Sequence, residues 1–177
     1  MKPGIIPFNR LIKDRKYGLD MDRNNHKWEY DPGERRNKHK WDSDQPGFVP
    51  LDEKNAIGKC PNTITNSPGL AERLLNEGVA YPPNMSVPDE IFNVYQGVVY
   101  RAKPTVPGKS YHGFPEKEGK GRKIALEVLA ELDKRAKRDG MYPEFENWMK
   151  KYLPEGWKRL FKTRLKRRAR DDEPPGF

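Results

Sequence analysis

Apolar positions recur at helical spacing in four stretches of this chain and alternate in one, after a long opening that follows neither rhythm. The first helical stretch is NSPGLAERLLNEG. Pro68 stands at the first helical position after Ser67, Leu70, Leu74 and Leu75 share a face, and Gly78 stops it. The three prolines between Tyr81 and Pro88 then predict an extended connector. IFNVYQGVVYRAK is the strand signal, split by Gln96-Gly97 where a two-residue hairpin turn would sit. That turn pairs Tyr95 with Val98 and Asn93 with Tyr100. It puts Phe92, Val94, Val99 and Arg101 on one face and Ile91, Tyr95, Val98, Tyr100 and Ala102 on the other.

Residues 104–120, rich in Pro, Gly and Lys, read as a loop that contains SYHGFP. Helical spacing resumes with Ala125, Val128, Leu129, Leu132 and Ala136 on one stripe, ended by Gly140. Pro143 opens a further helix that would bury Phe145, Trp148, Met149 and Tyr152, and Pro154 closes it. A last helix runs from about Trp157 to Arg170. Before residue 60 the prolines and glycines punctuate too often for a regular element, and Trp28, Tyr30, Trp41 and Phe48 stand as isolated anchors. No internal repeat is visible. The fold class predicted is α+β: a small antiparallel hairpin or sheet packed against three or four helices, with an irregular N-terminal arm and a basic C-terminal helix. The organisation expected is an arm over 1–60, a body over 61–156, and the basic helix with an acidic, proline-containing tail over 157–177.

Composition changes the picture mainly through charge. Lys and Arg number 35 against 26 Asp and Glu, a net charge of +9, and mean hydropathy is −1.06. A surplus of this size favours phosphate-rich partners. No run approaches the roughly 20 apolar residues of a spanning helix, and the start MKPGIIPFNRLIK has too short an apolar run for a secretory signal. Cys60 is the one cysteine, which excludes an internal disulfide and fits a reducing intracellular compartment, cytoplasmic or organellar.

The charge is concentrated. In WKRLFKTRLKRRAR the apolar Trp157, Leu160, Phe161 and Leu165 keep helical spacing while Lys158, Arg159, Lys162, Arg164, Lys166, Arg167, Arg168 and Arg170 fill the rest. Such a helix can dock by its apolar stripe and aim cations at a phosphate backbone. Arg35, Arg36, Lys38, His39, Lys40 and Trp41 interleave cations with an aromatic ring, a pattern suited to unpaired RNA bases. The first functional expectation is therefore nucleic-acid binding, RNA rather than DNA, as an accessory of a ribonucleoprotein assembly. An acidic protein partner would meet the same surface.

The second expectation is catalytic. Lys109, Tyr111 and His112 sit together just after a hairpin that carries Arg101. In a small metal-independent nuclease, such as a bacterial effector toxin, His112 would move the proton, Arg101 or Lys109 would hold the phosphorane and Tyr111 would position the attacking hydroxyl. Ser110 to Gly113 also resemble the Tyr-His-Gly motif of diphtheria-type ADP-ribosyltransferases. That similarity implies further strands and a downstream glutamate, where this chain instead reads helical. With His26, His39 and His112 dispersed and one thiol, the sequence predicts no metal site and no cofactor.

Overall fold

In the computed structural model the described residues are 27–32, 39–51, 56–119 and 123–171, with side chains described to Lys166. The chain is α+β. The predicted hairpin is its centre: β5 (Glu90–Tyr95) and β6 (Val98–Val106) pair antiparallel with Tyr95 opposite Val98 and Asn93 opposite Tyr100. Gln96 and Gly97 both take positive φ, at 50° and 77°, which is the signature of the turn whose twist matches the strands it joins.

The stretch read as a loop over 104–120 is instead the heart of the sheet. β6 continues to Val106, Gly108 turns the chain at φ 74°, and SYHGFP forms β7 (Ser110–Pro115), antiparallel to β6. The physical reason lies at Pro104. A proline without an N–H weakens a ladder unless the pairing is irregular there, and the register shifts between Pro104 and Val106. The prolines and glycines therefore mark a bulge and a turn inside a sheet.

Two more strands complete this sheet. β4 (Val79–Tyr81) pairs antiparallel with β5. β1 (Glu29–Tyr30) lies parallel to β7, and the order is β1-β7-β6-β5-β4. β2 (Gly47–Pro50) and β3 (Ala56–Lys59) form a separate antiparallel pair, so three short strands lie within the stretch that read as an arm. β1 is held at the edge by a side chain: Asn76 Oδ1 accepts from the Lys27 and Trp28 amides at 2.9 and 3.0 Å, and its Nδ2 donates to the Trp28 carbonyl. The connector after β4 begins with a cis Tyr81–Pro82 bond.

Helices cover the two faces unequally. On one side α1 (Asn62–Thr65) and α2 (Pro68–Asn76) accompany a small core of Trp28, Leu75, Ile91, Ala102 and Tyr111. On the other, α3 (Leu126–Arg138), α4 (Tyr142–Tyr152) and α5 (Pro154–Asp171) bury Val128, Leu129, Leu132, Phe145, Met149 and Leu160 against Phe92, Val94 and Val99. The stripe read on the third helix is the one buried, with Val128, Leu129, Leu132 and Ala136 all inside. α5 begins at Pro154, earlier than Trp157. The Glu118 carboxylate makes this start, accepting from the Gly156 amide at 2.6 Å and the Glu155 amide at 3.0 Å. No helix among the described residues is long and apolar enough to cross a membrane.

Candidate functional site

The alternation of β6 and β7 decides which side chains meet. Arg101 lies opposite Phe114 and Lys103 opposite His112, so these four share the face that carries Val94 and Val99. The three long helices fill the Val94–Val99 end of that face. At the other end, His112 and Phe114 are half-buried and Lys103 keeps 41% of its side-chain surface exposed. Just before β3's partner strand, a turn brings His39 onto this open end, fixed by a bridge between Lys40 and Cys60 and by the Cys60 amide donating to the His39 carbonyl.

Two imidazoles then lie face to face. The His39 and His112 rings have centroids 5.6 Å apart and planes 16° from parallel, and Phe114 stacks on His39 at 4.9 Å. Each Nδ1 has a partner that differs in kind. His39 Nδ1 is 2.7 Å from the Gly58 carbonyl, which can only accept, so Nδ1 carries a proton and the neutral ring keeps its lone pair on Nε2. His112 Nδ1 is 3.1 Å from the Thr105 hydroxyl, which can accept or donate and so satisfies the ring in either protonation state. Thr105 reaches it from the bulged end of β6. Lys103 Nζ is 3.6 Å from Glu90, and exposed Lys40 is the next residue after His39.

No family model, curated protein or solved structure matches this chain.

The residues singled out from the sequence fall in different places. Arg101 is 4% exposed and locked between carboxylates: its Nε is 2.5 Å and Nη2 2.6 Å from Glu116, and Nη1 2.8 Å from Glu90. Its charge is spent in that cluster and does not face a phosphate. Tyr111, next to His112 on the strand, points through the opposite face, where its hydroxyl donates to the Pro88 carbonyl at 2.9 Å and its ring meets Trp28 edge-on. It therefore cannot serve beside His112. Lys109 lies at the β6–β7 turn, two-thirds exposed and 4.0 Å from Glu29 at the sheet edge. Of the proposed catalytic set, His112 alone sits in the open end of the face.

The basic helix is also divided. Arg164 turns inward to the Tyr142 hydroxyl and the Asp133 carboxylate, and Arg159 donates to the Ile124 carbonyl, so both hold α5 to the body. Lys158, which pairs with Glu155, and Lys162 and Lys166 all lie at the surface. The side chains of Arg167, Arg168 and Arg170 lie outside the described residues, as do Arg35, Arg36 and Lys38. Trp41 is half-buried with its ring over Gly47, where an added Cβ would come within 2.6 Å of it. Its ring is used inside the molecule rather than offered to a base.

Cys60 Sγ donates to the Gly113 carbonyl at 3.4 Å, and Tyr30, Cys60 and Tyr100 border a cavity of about 50 Å³ under α2. Burial pushes the Cys60 thiol up to about 12 and raises both phenols. These are neutral packing groups. Among the described residues no group of three or more His, Cys, Asp or Glu side chains is placed to hold a metal ion, and the open end of this face carries imidazole, hydroxyl and ammonium groups beside the Glu90 carboxylate. Such groups bind phosphate and move protons.

The sequence concealed His39, Lys103, Thr105 and Phe114 as site residues. His39 stood out only as one cation among five. Reading SYHGFP as a strand would have placed His112 and Phe114 on one face and Tyr111 on the other, which is the signal that was there to find.

Proposed function

We propose that this chain cleaves phosphodiester bonds of nucleic acid, with His39 and His112 exchanging protons with the substrate and Lys103 beside them at the phosphate. The observation that carries this reading is the near-parallel imidazole pair on the open end of the β6–β7 face, each ring oriented by a hydrogen bond to its Nδ1. General acid–base catalysis by a positioned side chain contributes about 10²–10⁴-fold, and it needs a ring nitrogen held in a defined protonation state. The Gly58 carbonyl does this for His39. Lys103 is the cross-strand partner of His112, with its Nζ 3.6 Å from Glu90. A net charge of +9 draws a polyanion to the surface.

Purified protein, washed at high salt and incubated with single-stranded RNA and DNA in excess EDTA, tests this. We expect cleavage that falls about 10²–10⁴-fold in His112→Ala and in His39→Gln, with near-UV circular dichroism unchanged. Nucleic acid left intact by the unaltered protein at high concentration would refute it.

A second reading, binding without cleavage, draws on the exposed Lys162 and Lys166 together with Lys158 on α5. With about three such contacts to a single strand, log K should fall against log salt with a slope of roughly −2. The two readings join in one protein if α5 gathers the substrate that the imidazole pair cuts.

A further inference from the structure

Resting on the phosphodiesterase reading above, we propose that the nucleophile is supplied by the substrate: the site is built for the ribose 2′-hydroxyl, so it cuts RNA, with His39 as base and His112 as acid, and leaves a 2′,3′-cyclic phosphate.

The asymmetry of the two rings assigns the roles. His39 donates Nδ1–H to a carbonyl that cannot donate back, so its neutral form always presents a lone pair at Nε2, the requirement for a base. His112 meets a hydroxyl. When that hydroxyl donates, the neutral ring is protonated at Nε2; when it accepts, the imidazolium is satisfied at Nδ1 and still carries a proton at Nε2. The imidazolium is the acid: it gives up its Nε2 proton and is left as the neutral ring that still donates from Nδ1 to Thr105.

The surroundings point to a nucleophile that the protein does not have to place. The carboxylates that Glu90 and Glu116 bring to this face are engaged by Arg101, at 2.8 and 2.5 Å, and are not available to fix an attacking water. A 2′-hydroxyl is held beside its own phosphorus by the sugar, and well-oriented intramolecular attack of this sort carries a large effective concentration. The 2′-hydroxyl is also what separates RNA from DNA at a protein surface.

In the step that follows, His39 Nε2 takes the 2′-hydroxyl proton as the O2′–P bond forms. The P–O5′ bond breaks, and His112 Nε2 gives its proton to the departing O5′. The products are a 2′,3′-cyclic phosphate and a 5′-hydroxyl, with His39 protonated and His112 neutral, and no water is consumed. Lys103 compensates the charge that builds on the equatorial oxygens. Exchange with solvent restores both rings.

A mixed-sequence RNA oligonucleotide, its fully 2′-O-methylated copy and the matching DNA, each incubated in EDTA, test the inference. We expect the RNA alone to be cut, with 3′ ends one water lighter than a linear phosphate by mass spectrometry. Cleavage of the methylated RNA or the DNA at a comparable rate would overturn this inference and leave the phosphodiesterase reading standing; no cleavage of any of the three would overturn both. The roles are read from an aryl ester of a nucleoside 3′-phosphate, whose leaving group needs no proton. His112→Ala should keep within about tenfold of the parent rate on it, while His39→Gln and His39→Ala lose about 10²-fold or more. Equal losses would refute the assignment.

Discussion

Replacing Arg101 by Met should cost this protein about 3–5 kcal/mol, because it leaves a carboxylate stranded in the interior. Glu116 is 3% exposed and meets Arg101 through two of its nitrogens, at 2.5 and 2.6 Å; Glu90, a quarter exposed, meets a third at 2.8 Å, and the Phe92 ring lies 5.7 Å from the guanidinium carbon. At an effective dielectric near 20, charges about 4 Å apart attract by about 4 kcal/mol, and water offers Glu116 little substitute at that depth. Glu90 loses less, since Lys103 is 3.6 Å away and solvent reaches it. Removing the charge on both sides should therefore restore much of the loss. In urea unfolding at pH 7, Arg101→Met should shift the midpoint strongly with little change in slope, and Arg101→Met combined with Glu116→Leu should be more stable than Arg101→Met alone by at least about 1.5 kcal/mol. A single variant that loses less than about 1 kcal/mol would mean that the cluster does not hold the sheet. A double variant no better than the single would mean that Glu116 is not stranded without Arg101.

Three further outcomes follow from other parts of the fold. Gly97→Ala should destabilise by about 2 kcal/mol or more in the same assay, because φ is 77° and the new Cβ would fall 2.3 Å from Glu144 Cβ and 2.7 Å from the Phe145 amide; a neutral effect would contradict the packing of α4 on the hairpin turn. Glu118→Ala should cost about 1–2 kcal/mol by uncapping α5, and the loss should shrink in Glu118→Gln, which keeps an acceptor; equal losses would remove the capping role. Cys60 should resist a disulfide reagent at pH 8 until denaturant is added. Since burial raises its thiol to about 12, the unfolded chain releases this proton first as pH rises above the usual thiol range. Stability from this group is thus complete below about 9 and declines between about 9 and 12, and a midpoint that rose over that window would refute the sign.

What could be read from the sequence was whatever its own neighbours determine. α3 and α4 bury most of the residues their spacing marked, whereas in α5 Leu160 is buried and Phe161 and Leu165 are exposed; the Gln96-Gly97 turn fixes the β5–β6 register, because a two-residue loop leaves no other pairing. β7 was hidden because the Pro104 bulge and the Gly108 turn read as a loop, and β1 because its stability comes from distant partners. A two-residue parallel strand such as β1 has no local signal. It exists because Asn76, 48 residues beyond Trp28, satisfies its backbone and because Trp28 is buried against Tyr111. α5 began earlier than its apolar spacing suggested for the same reason: its cap comes from Glu118, 38 residues before Gly156.

The site was hidden one level deeper, since it depends on parity as well as on the presence of a strand. His112 and Tyr111 are neighbours in sequence and face opposite ways, so a change of one residue in the β6–β7 register would have buried the imidazole and exposed the phenol. The shift between Pro104 and Val106 lies one step past the Lys103–His112 pair and brings Thr105 to Nδ1 of His112. His39 then comes from a turn that no periodicity marks, held by Cys60, whose own thiol is anchored on the carbonyl of Gly113, the residue between His112 and Phe114. The two imidazoles are thus tied to one strand from both of its faces. Charge density along the chain pointed to α5, where Arg159 and Arg164 serve the fold, and to the cluster around His39, but it gave no sign that His39 stacks on His112.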